Sequence, residues 1–94
     1  MSAYIIVELT LRNKEARDRY SSAAGPILKG FGGEFIAGGS WEVLFGEPAF
    51  TNGAIIKFAD KEAALGFYNS PGYQALLGER AVGLDCRFRL LGGS

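Results

Sequence analysis

Apolar and polar residues alternate along the first eleven positions of the chain. From Ala3 to Leu11 every second residue is Ala, Ile, Val or Leu, and Tyr4, Ile6 and Glu8 occupy positions between them. Successive side chains of a strand point to opposite faces of the sheet. The alternation therefore predicts a β-strand over 3–11 with one wholly apolar face and one mixed face.

The next segment spaces its apolar residues at the period of an α-helix. Asn13 is the predicted N-cap, and Pro26 is expected to break or kink the helix because it has no N–H to donate. Gly32 and Gly33 are predicted to end the helix by supplying a positive φ. The apolar positions are Ala16, Tyr20, Ala23, Ala24, Ile27, Leu28 and Phe31.

Beyond the glycine pair the chain returns to short apolar runs. Residues 34–37 predict a second strand, and Gly38, Gly39 and Ser40 predict a bend before the apolar run 41–45. A hairpin and a single strand interrupted by a bulge both fit this pattern. Residues 46–52 are predicted to form a loop.

The stretch 53–80 joins a strand directly to helices. Residues 54–58 form an apolar, partly β-branched run, and Asp60 is the predicted N-cap of the helix that follows. Ser70 and Pro71 repeat the arrangement, since Ser caps helices well and Pro is tolerated at the first helical position. A further single helix is predicted from Pro71 to about Ala81.

A last strand is predicted over 84–91, with Leu84, Cys86, Phe88 and Leu90 on its apolar face. The order of elements is then β-α-β(β)-β-α(α)-β, where the brackets mark the extra strand of the hairpin alternative and the second of the two consecutive helices. Right-handed crossovers fold this order into an antiparallel sheet with its helices on one face, an α+β fold of the ferredoxin-like type. The chain is accordingly predicted to be one ferredoxin-like domain over 1–94.

The other face of this sheet mixes large apolar side chains with charges of both signs, whereas a solvated face is ordinarily more uniformly polar. We predict that the same face of a second subunit covers it, because closed two-fold dimers are the commonest oligomers. Its acids and bases are expected to pair within or between the subunits of this homodimer. By alternation the face contains Tyr4, Ile6, Glu8, Glu34, Ile36, Ile55, Lys57, Arg87 and Arg89.

Composition narrows the partners and the setting. Ten acidic and ten basic residues give no net charge, so neither nucleic acid nor a membrane is expected as a partner. The single Cys86 allows no internal disulfide, and the apolar run near the N-terminus is too short for a signal peptide or a membrane span. These observations predict a cytoplasmic location.

Three segments carry a family resemblance, namely FGGEFIAGG at 31–39, EVLFG at 42–46 and YNSPGYQALL at 68–77. Together they resemble the bacterial family catalogued as domain of unknown function 1330. The resemblance implies the dimeric α/β-barrel superfamily, in which two ferredoxin-like subunits face their sheets together. Relatives there include muconolactone isomerases and cofactor-free monooxygenases of antibiotic biosynthesis. Family members often carry Arg where this chain has Ala37, and His or Tyr where it has Phe31.

The candidate chemistry rests on carboxylates, arginines and phenols, because the chain contains no histidine. That absence excludes a Ser-His-Asp triad and a histidine-based metal site, and neither a metal nor a cofactor is expected. A carboxylate is the candidate general base, an arginine the anion stabiliser and a phenol the hydrogen-bond donor. The catalytic candidates are Glu8, Glu34 and Tyr20, and the ligand-binding candidates are Trp41, Tyr68, Tyr73, Arg87 and Arg89.

Each candidate also has a purely structural interpretation. The charged residues of the sheet would then seal a dimer, and the tyrosines would be core aromatics whose hydroxyls still need partners. Cys86 fits a small core residue, and Arg80 is expected to interact with the carbonyl end of its own helix.

Two functional hypotheses follow. The first is a homodimer that binds a small aromatic or carbonyl compound, with cofactor-free isomerase-like or monooxygenase-like catalysis as its enzymatic form. The second is a dimerising structural or stress-related module without a ligand. A cavity of about 300 Å³ or more between the sheet and the helices would favour the first hypothesis.

Overall fold

Four antiparallel strands form one sheet, and helices pack on one of its faces. The computed structural model describes residues 1–93. Its elements are β1 (Ala3–Leu11), α1 (Lys14–Gly30), β2 (Glu34–Ser40), β3 (Asn52–Phe58), α2 (Lys61–Asn69), α3 (Pro71–Gln74), α4 (Leu77–Gly83) and β4 (Leu84–Gly92). The strands lie in the order β2-β3-β1-β4, and every neighbouring pair is antiparallel. The predicted ferredoxin-like fold is confirmed.

The hydrophobic core lies between the sheet and the helices. The apolar face predicted for β1 supplies Ala3, Ile5 and Val7, all buried, and β3 adds Ile56 and Phe58. From the helices, the core receives Tyr20, Leu28, Phe67 and Tyr73 among others. Burying a large apolar side chain contributes roughly 1.5–3 kcal/mol, so this single layer accounts for the position of every helix on the same face.

The three predicted N-caps are confirmed. The side chains of Asn13, Asp60 and Ser70 each accept a hydrogen bond from the backbone N–H three residues later. Helix α1 ends at Gly30, and Gly32 just beyond it has the predicted positive φ, +77°. Of the break or kink expected at Pro26, the break is wrong, because α1 continues through Pro26 to Gly30, with Ala24 and Leu28 buried on either side of the proline.

The single helix predicted from Pro71 to about Ala81 is also wrong. Two helices occupy the segment, α3 and α4, and Ala75 and Leu76 separate them. The Leu76 N–H donates to the Tyr73 carbonyl, three residues back instead of four, at 2.9 Å. This tightened turn re-aims the chain so that Leu76 and Leu77 both pack against the core.

The segment after α1 differs from its prediction in two respects. Strand β2 continues through the glycines to Ser40, so the expected bend at 38–40 is wrong. Residues 41–45 form no strand, and the connection to β3 is therefore the whole segment 41–51. Strand β2 has a register irregularity instead, because Phe35 pairs with Ile56 and Ala37 with Ile55. Ile36 is the extra residue of this bulge. Ala37 therefore pairs with Ile55 in the position that strict alternation had assigned to Ile36.

Candidate functional site

Aromatic side chains from four elements meet between the helices and β4. Tyr20 comes from α1, Tyr68 from α2, Tyr73 from α3 and Phe88 from β4. The Tyr73 ring centroid lies 6.0 Å from that of Tyr20, 5.2 Å from that of Tyr68 and 6.4 Å from that of Phe88. Tyr73 is wholly buried at the centre of this arrangement, and the Ser70 cap fixes the start of its short helix.

Hydrogen bonds link three of these residues to Arg80 of α4. The hydroxyl oxygens of Tyr20 and Tyr73 are 2.5 Å apart. Arg80 Nη1 donates to the hydroxyl oxygens of Tyr73 at 3.0 Å and Tyr68 at 3.1 Å. We call Tyr20, Tyr68, Tyr73 and Arg80 the tyrosine cluster. The sequence predicted its three phenols, but it did not predict that they touch one another.

Arg80 is the member of the cluster that the sequence prediction missed. It was expected at the carbonyl end of its helix, whereas its guanidinium stacks over Phe88, with Cζ 4.7 Å from the ring centroid. It forms no ion pair with any acid among residues 1–93. Tyr73 and Arg80 are seven residues apart, a spacing that already puts them on one helix face, but the direct contact of their polar atoms across the break between α3 and α4 does not follow from that spacing.

Burial changes the titration of the cluster. It raises the pKa of Tyr20, and the neighbouring Tyr73 raises it further. Burial likewise raises the pKa of Tyr73, against the opposing effect of its hydrogen bonds to Tyr20 and Arg80. Both phenols therefore keep their protons at neutral pH and can serve as hydrogen-bond donors. Burial also raises the pKa of the Cys86 thiol, which fits its predicted role as a core residue.

Two cavities adjoin the cluster. The first, of 210 Å³, lies between α1 and the sheet and is mainly apolar; we call it the helix-side cavity. The second, of 220 Å³, lies beside α2 and β4 and includes Tyr68 in its wall. Phe88 borders both of them. The helix-side cavity is lined by Val7, Leu9, Arg17, Tyr20, Ser21, Ala24, Gly25, Leu28, Phe35, Ala54, Ile56, Leu84 and Phe88.

The charged candidates lie on the other face of the sheet. Glu8 forms an ion pair with Arg89 at 2.9 Å and lies 3.9 Å from Arg87, both on the neighbouring strand. Glu34 is exposed and stands opposite Lys57. The sheet therefore separates Glu8, Glu34 and Arg87 from the tyrosine cluster, whereas Arg89, on the edge strand β4, also borders the second cavity together with Tyr68. Within one subunit, neither Glu8 nor Glu34 can therefore act as a base on a ligand that is bound by a phenol of the cluster.

Trp41 also lies on this open face. The Trp41 ring occupies the space that a side chain on Gly53 would fill, and Gly53 pairs with Glu8 across the strands. At the other end of the same loop, Phe50 is buried, and Arg87 Cζ lies 5.0 Å from its ring centroid. Residues 41–51 therefore fold over the Glu8 end of the open face, and Trp41 is remote from the phenols with which it was grouped.

Neither a metal site nor a membrane segment is found in the described part of the chain. No three Cys, Asp or Glu side chains among residues 1–93 gather closely enough to hold an ion. Over the same residues, every helix is too short or too polar to cross a bilayer.

A family model described as "Domain of unknown function (DUF1330)" matches residues 2–94. The chain belongs to the DUF1330 family. The resemblance of its three signature segments is thereby confirmed over nearly the whole sequence. No curated protein matches the chain significantly.

Solved structures with the same fold are distant in sequence. The RPA0582 protein of Rhodopseudomonas palustris, of unknown function, has a TM-score of 0.78 at 20% identity, with 96% of this chain and 80% of that chain covered. A dimeric ferredoxin-like protein of unknown function from Jannaschia sp. CCS1 has a TM-score of 0.65 at 21% identity, with 98% and 99% covered. SnoaB of Streptomyces nogalater, a cofactor-independent oxygenase, has a TM-score of 0.69 at 10% identity, with 99% and 93% covered.

Proposed function

We propose that this DUF1330 protein is a homodimer that binds a small aromatic or carbonyl compound in the helix-side cavity. The observation that carries the proposal is an apolar cavity with a buried, protonated phenol in its wall. Ligand sites are typically apolar hollows with a few well-placed polar groups. The cavity has Tyr20 for this purpose, and Ser21 and Arg17 lie on the same helix.

The size of the cavity limits the ligand. At 210 Å³ it is smaller than usual ligand pockets, which measure roughly 300–1,000 Å³. It is therefore also smaller than the cavity expected from the sequence for a ligand-binding protein. An apolar cavity of about 150 Å³ nevertheless holds benzene. A compound with one ring and one short polar substituent is therefore the class that fits.

The open face supports the homodimer. Tyr4, Ile6 and Ile55 lie half-buried in its centre, where a second sheet would cover them. Three related structures are described as dimeric ferredoxin-like proteins. We therefore assign Glu8, Glu34, Arg87 and Arg89 to the subunit interface and the phenols to ligand binding.

An enzymatic form of this function would use no cofactor. SnoaB shares the fold and is a cofactor-independent oxygenase, which is an analogy of fold alone at 10% identity. In such a reaction Tyr20 or Tyr68 would donate a hydrogen bond to the substrate oxygen.

Thermal unfolding in the presence of single-ring phenols, quinones and keto acids tests the proposal, with native mass spectrometry to report the subunit number and any carried-over ligand. We expect a higher Tm with at least one compound. Ala54→Leu fills the cavity and should abolish the shift, whereas Ala23→Leu adds the same atoms on the exposed face of α1 and should preserve it. A well-folded protein that responds to no compound contradicts ligand binding and favours the ligand-free dimerising module.

A further inference from the structure

The hydrogen bonds between Arg80, Tyr73 and Tyr20 have a fixed direction. A guanidinium group donates and never accepts, so the Tyr73 oxygen is the acceptor of the 3.0 Å bond from Arg80. The hydroxyl hydrogen of Tyr73 still needs an acceptor, because Tyr73 is wholly buried. Among residues 1–93 the Tyr20 oxygen, 2.5 Å away, is the acceptor within reach. The opposite direction would leave the hydroxyl hydrogen of the wholly buried Tyr73 unpaired, which is unfavourable, whereas Tyr20 borders the cavity, where its hydrogen can meet water or a ligand. Tyr73 therefore donates to Tyr20.

This direction leaves the hydroxyl hydrogen of Tyr20 available. The Tyr20 oxygen accepts from Tyr73, and no other oxygen of the described residues accepts from Tyr20. The Tyr20 side chain lies in the wall of the helix-side cavity. Phe88, on which the Arg80 guanidinium stacks, lies in that wall as well. Tyr20, the last residue of the hydrogen-bond chain, thus borders a space that the protein leaves unfilled.

We propose that Tyr20 is an oriented hydrogen-bond donor for an acceptor oxygen on the ligand, such as that of a ketone, aldehyde or carboxylate on a single ring. Tyr73 and Arg80 are positioning residues, since they fix the direction of the Tyr20 hydroxyl without touching the ligand. This inference rests on the proposed function and makes it more specific. A ligand that offers only N–H or O–H donors would find no acceptor at this point.

Polarisation adds to the effect of direction. Each hydrogen bond in a chain strengthens the next one, and the positive charge of Arg80 stands at the beginning. Tyr20 is therefore a better donor than an isolated phenol, and better still toward an oxygen that gains negative charge. An enolate or phenolate formed in the cavity would be stabilised more than the neutral compound.

Calorimetric titration with acetophenone and ethylbenzene tests the proposal, because the two compounds have similar shapes and only the first has an acceptor oxygen. We expect wild-type protein to bind both. Tyr20→Phe should weaken acetophenone binding about fivefold, the usual effect of one hydrogen bond, and leave ethylbenzene unchanged. Tyr4→Phe, on the opposite face of the sheet, should leave both affinities unchanged.

The positioning role needs its own variants. Arg80→Met and Tyr73→Phe should each reduce the preference for acetophenone without affecting ethylbenzene. Arg80→Lys should retain much of it, because an ammonium nitrogen can also donate to two phenol oxygens at once. A purely structural role of Arg80 would not produce this ligand-selective loss and its rescue.

Each outcome has a distinct meaning. Ethylbenzene binding together with an acetophenone affinity that is the same in Tyr20→Phe would overturn the donor role of Tyr20 and leave the cavity proposal standing. Failure of wild-type protein to bind either compound would overturn the proposed function, and the donor role with it. If Tyr20→Phe changes both affinities equally, Tyr20 acts on cavity shape and the inference is wrong.

Discussion

At the scale of single residues, Gly83 decides how closely α1 approaches the end of α4. A Cβ atom on Gly83 would lie 2.6 Å from the Arg17 nitrogen and 2.9 Å from the Arg17 Cα, both backbone atoms that no side-chain rotation can move. The Gly83 carbonyl also accepts hydrogen bonds from the N–H groups of Arg12 and Asn13, at 2.8 and 3.1 Å. Position 83 thus has no space for a side chain, and the hydrogen bonds to its carbonyl hold the two backbone segments together.

We therefore expect Gly83→Ala to lower the free energy of unfolding by about 1–3 kcal/mol, the usual cost of overpacking. Gly78→Ala is the matched control in the same helix, because a Cβ there meets nothing within 4 Å. It should raise the free energy of unfolding by roughly 0.5–1 kcal/mol, since alanine favours the helix. Urea unfolding measures both, and equal effects of the two substitutions would contradict the close approach.

The buried phenols give a second prediction at this scale. Burial raises the pKa of both Tyr20 and Tyr73 above the value of about 10 that unfolded tyrosine has. The folded state thus holds protons that the unfolded state releases, so stability is complete below about pH 10 and falls as the pH rises further. In native protein at about pH 11, phenolate absorbance should fall short of the urea-unfolded value. Tyr20→Phe should reduce this shortfall, and coinciding titration curves would refute the burial of these hydroxyls.

At the scale of elements, the connection 41–51 is more ordered than a surface loop needs to be. The Trp41 N–H donates to the Thr51 carbonyl at 3.2 Å, which closes the connection at its base. Trp41 and Phe50 then turn onto the open face of the sheet, while Leu44 and Phe45 at the tip are 94% and 99% exposed. An exposed apolar tip that adjoins an uncovered sheet face fits a position at the edge of the proposed subunit interface.

Trp41 makes this connection easy to monitor, because it is the single tryptophan of the chain. We expect Gly53→Ala to displace the Trp41 ring, with a red shift of its fluorescence and stronger quenching by acrylamide. Gly38→Ala, on the same sheet, is the control, since a Cβ there has no neighbour nearer than 3.6 Å. An unchanged emission spectrum in Gly53→Ala would mean that Trp41 does not rest on Gly53.

The same scale explains which parts of the fold the sequence could predict. Alternation in β1 and the caps at Asn13, Asp60 and Ser70 depend only on residues that are close in sequence, and these predictions are confirmed. The apolar run 41–45 looked like a strand because its side chains are large, but β3 is already paired on both sides, and Trp41 turns over Gly53 on the sheet face instead of along the free edge of β2. The position of Pro26 alone did not predict where α1 ends, because one missing N–H does not end a helix whose residues Ala24 and Leu28 are buried on either side of the proline.

The candidate site was predictable by residue type and only partly by position. Tyr20, Tyr68 and Tyr73 were candidates individually, yet their contact with Arg80 joins α1, α2, α3 and α4, and no local pattern encodes it. The carboxylates and arginines were assigned correctly to the open face. Grouping Glu8, Glu34 and Arg87 with the phenols ignored that alternation along the strands sends these three side chains to the face opposite the core.

At the scale of the whole molecule, the two faces of the sheet carry different groups. The helix face holds the tyrosine cluster and the cavities, while the charges on the open face are largely paired within the subunit through Glu8. Reversing the charge of Arg87 would therefore also disturb the connection 41–51, because the Arg87 guanidinium lies against the Phe50 ring. Reversing the charge of Arg19, on the helix side, would break its 2.6 Å ion pair with Glu79. Charge reversals test the interface poorly, and the apolar centre of the face tests it better.

We accordingly expect Ile55→Glu to dissociate the proposed homodimer. Ile55 pairs with Ile6 in the middle of the open face, and burying such a side chain contributes about 1.5–3 kcal/mol. Two copies are changed in each dimer, so the dissociation constant should rise about a hundredfold or more. Val82→Glu makes a comparable substitution on α4, where Val82 is 55% exposed, and should leave association unchanged. Sedimentation velocity decides between them: a wild-type protein that remains monomeric at micromolar concentration, or two variants that associate alike, would exclude pairing through this face.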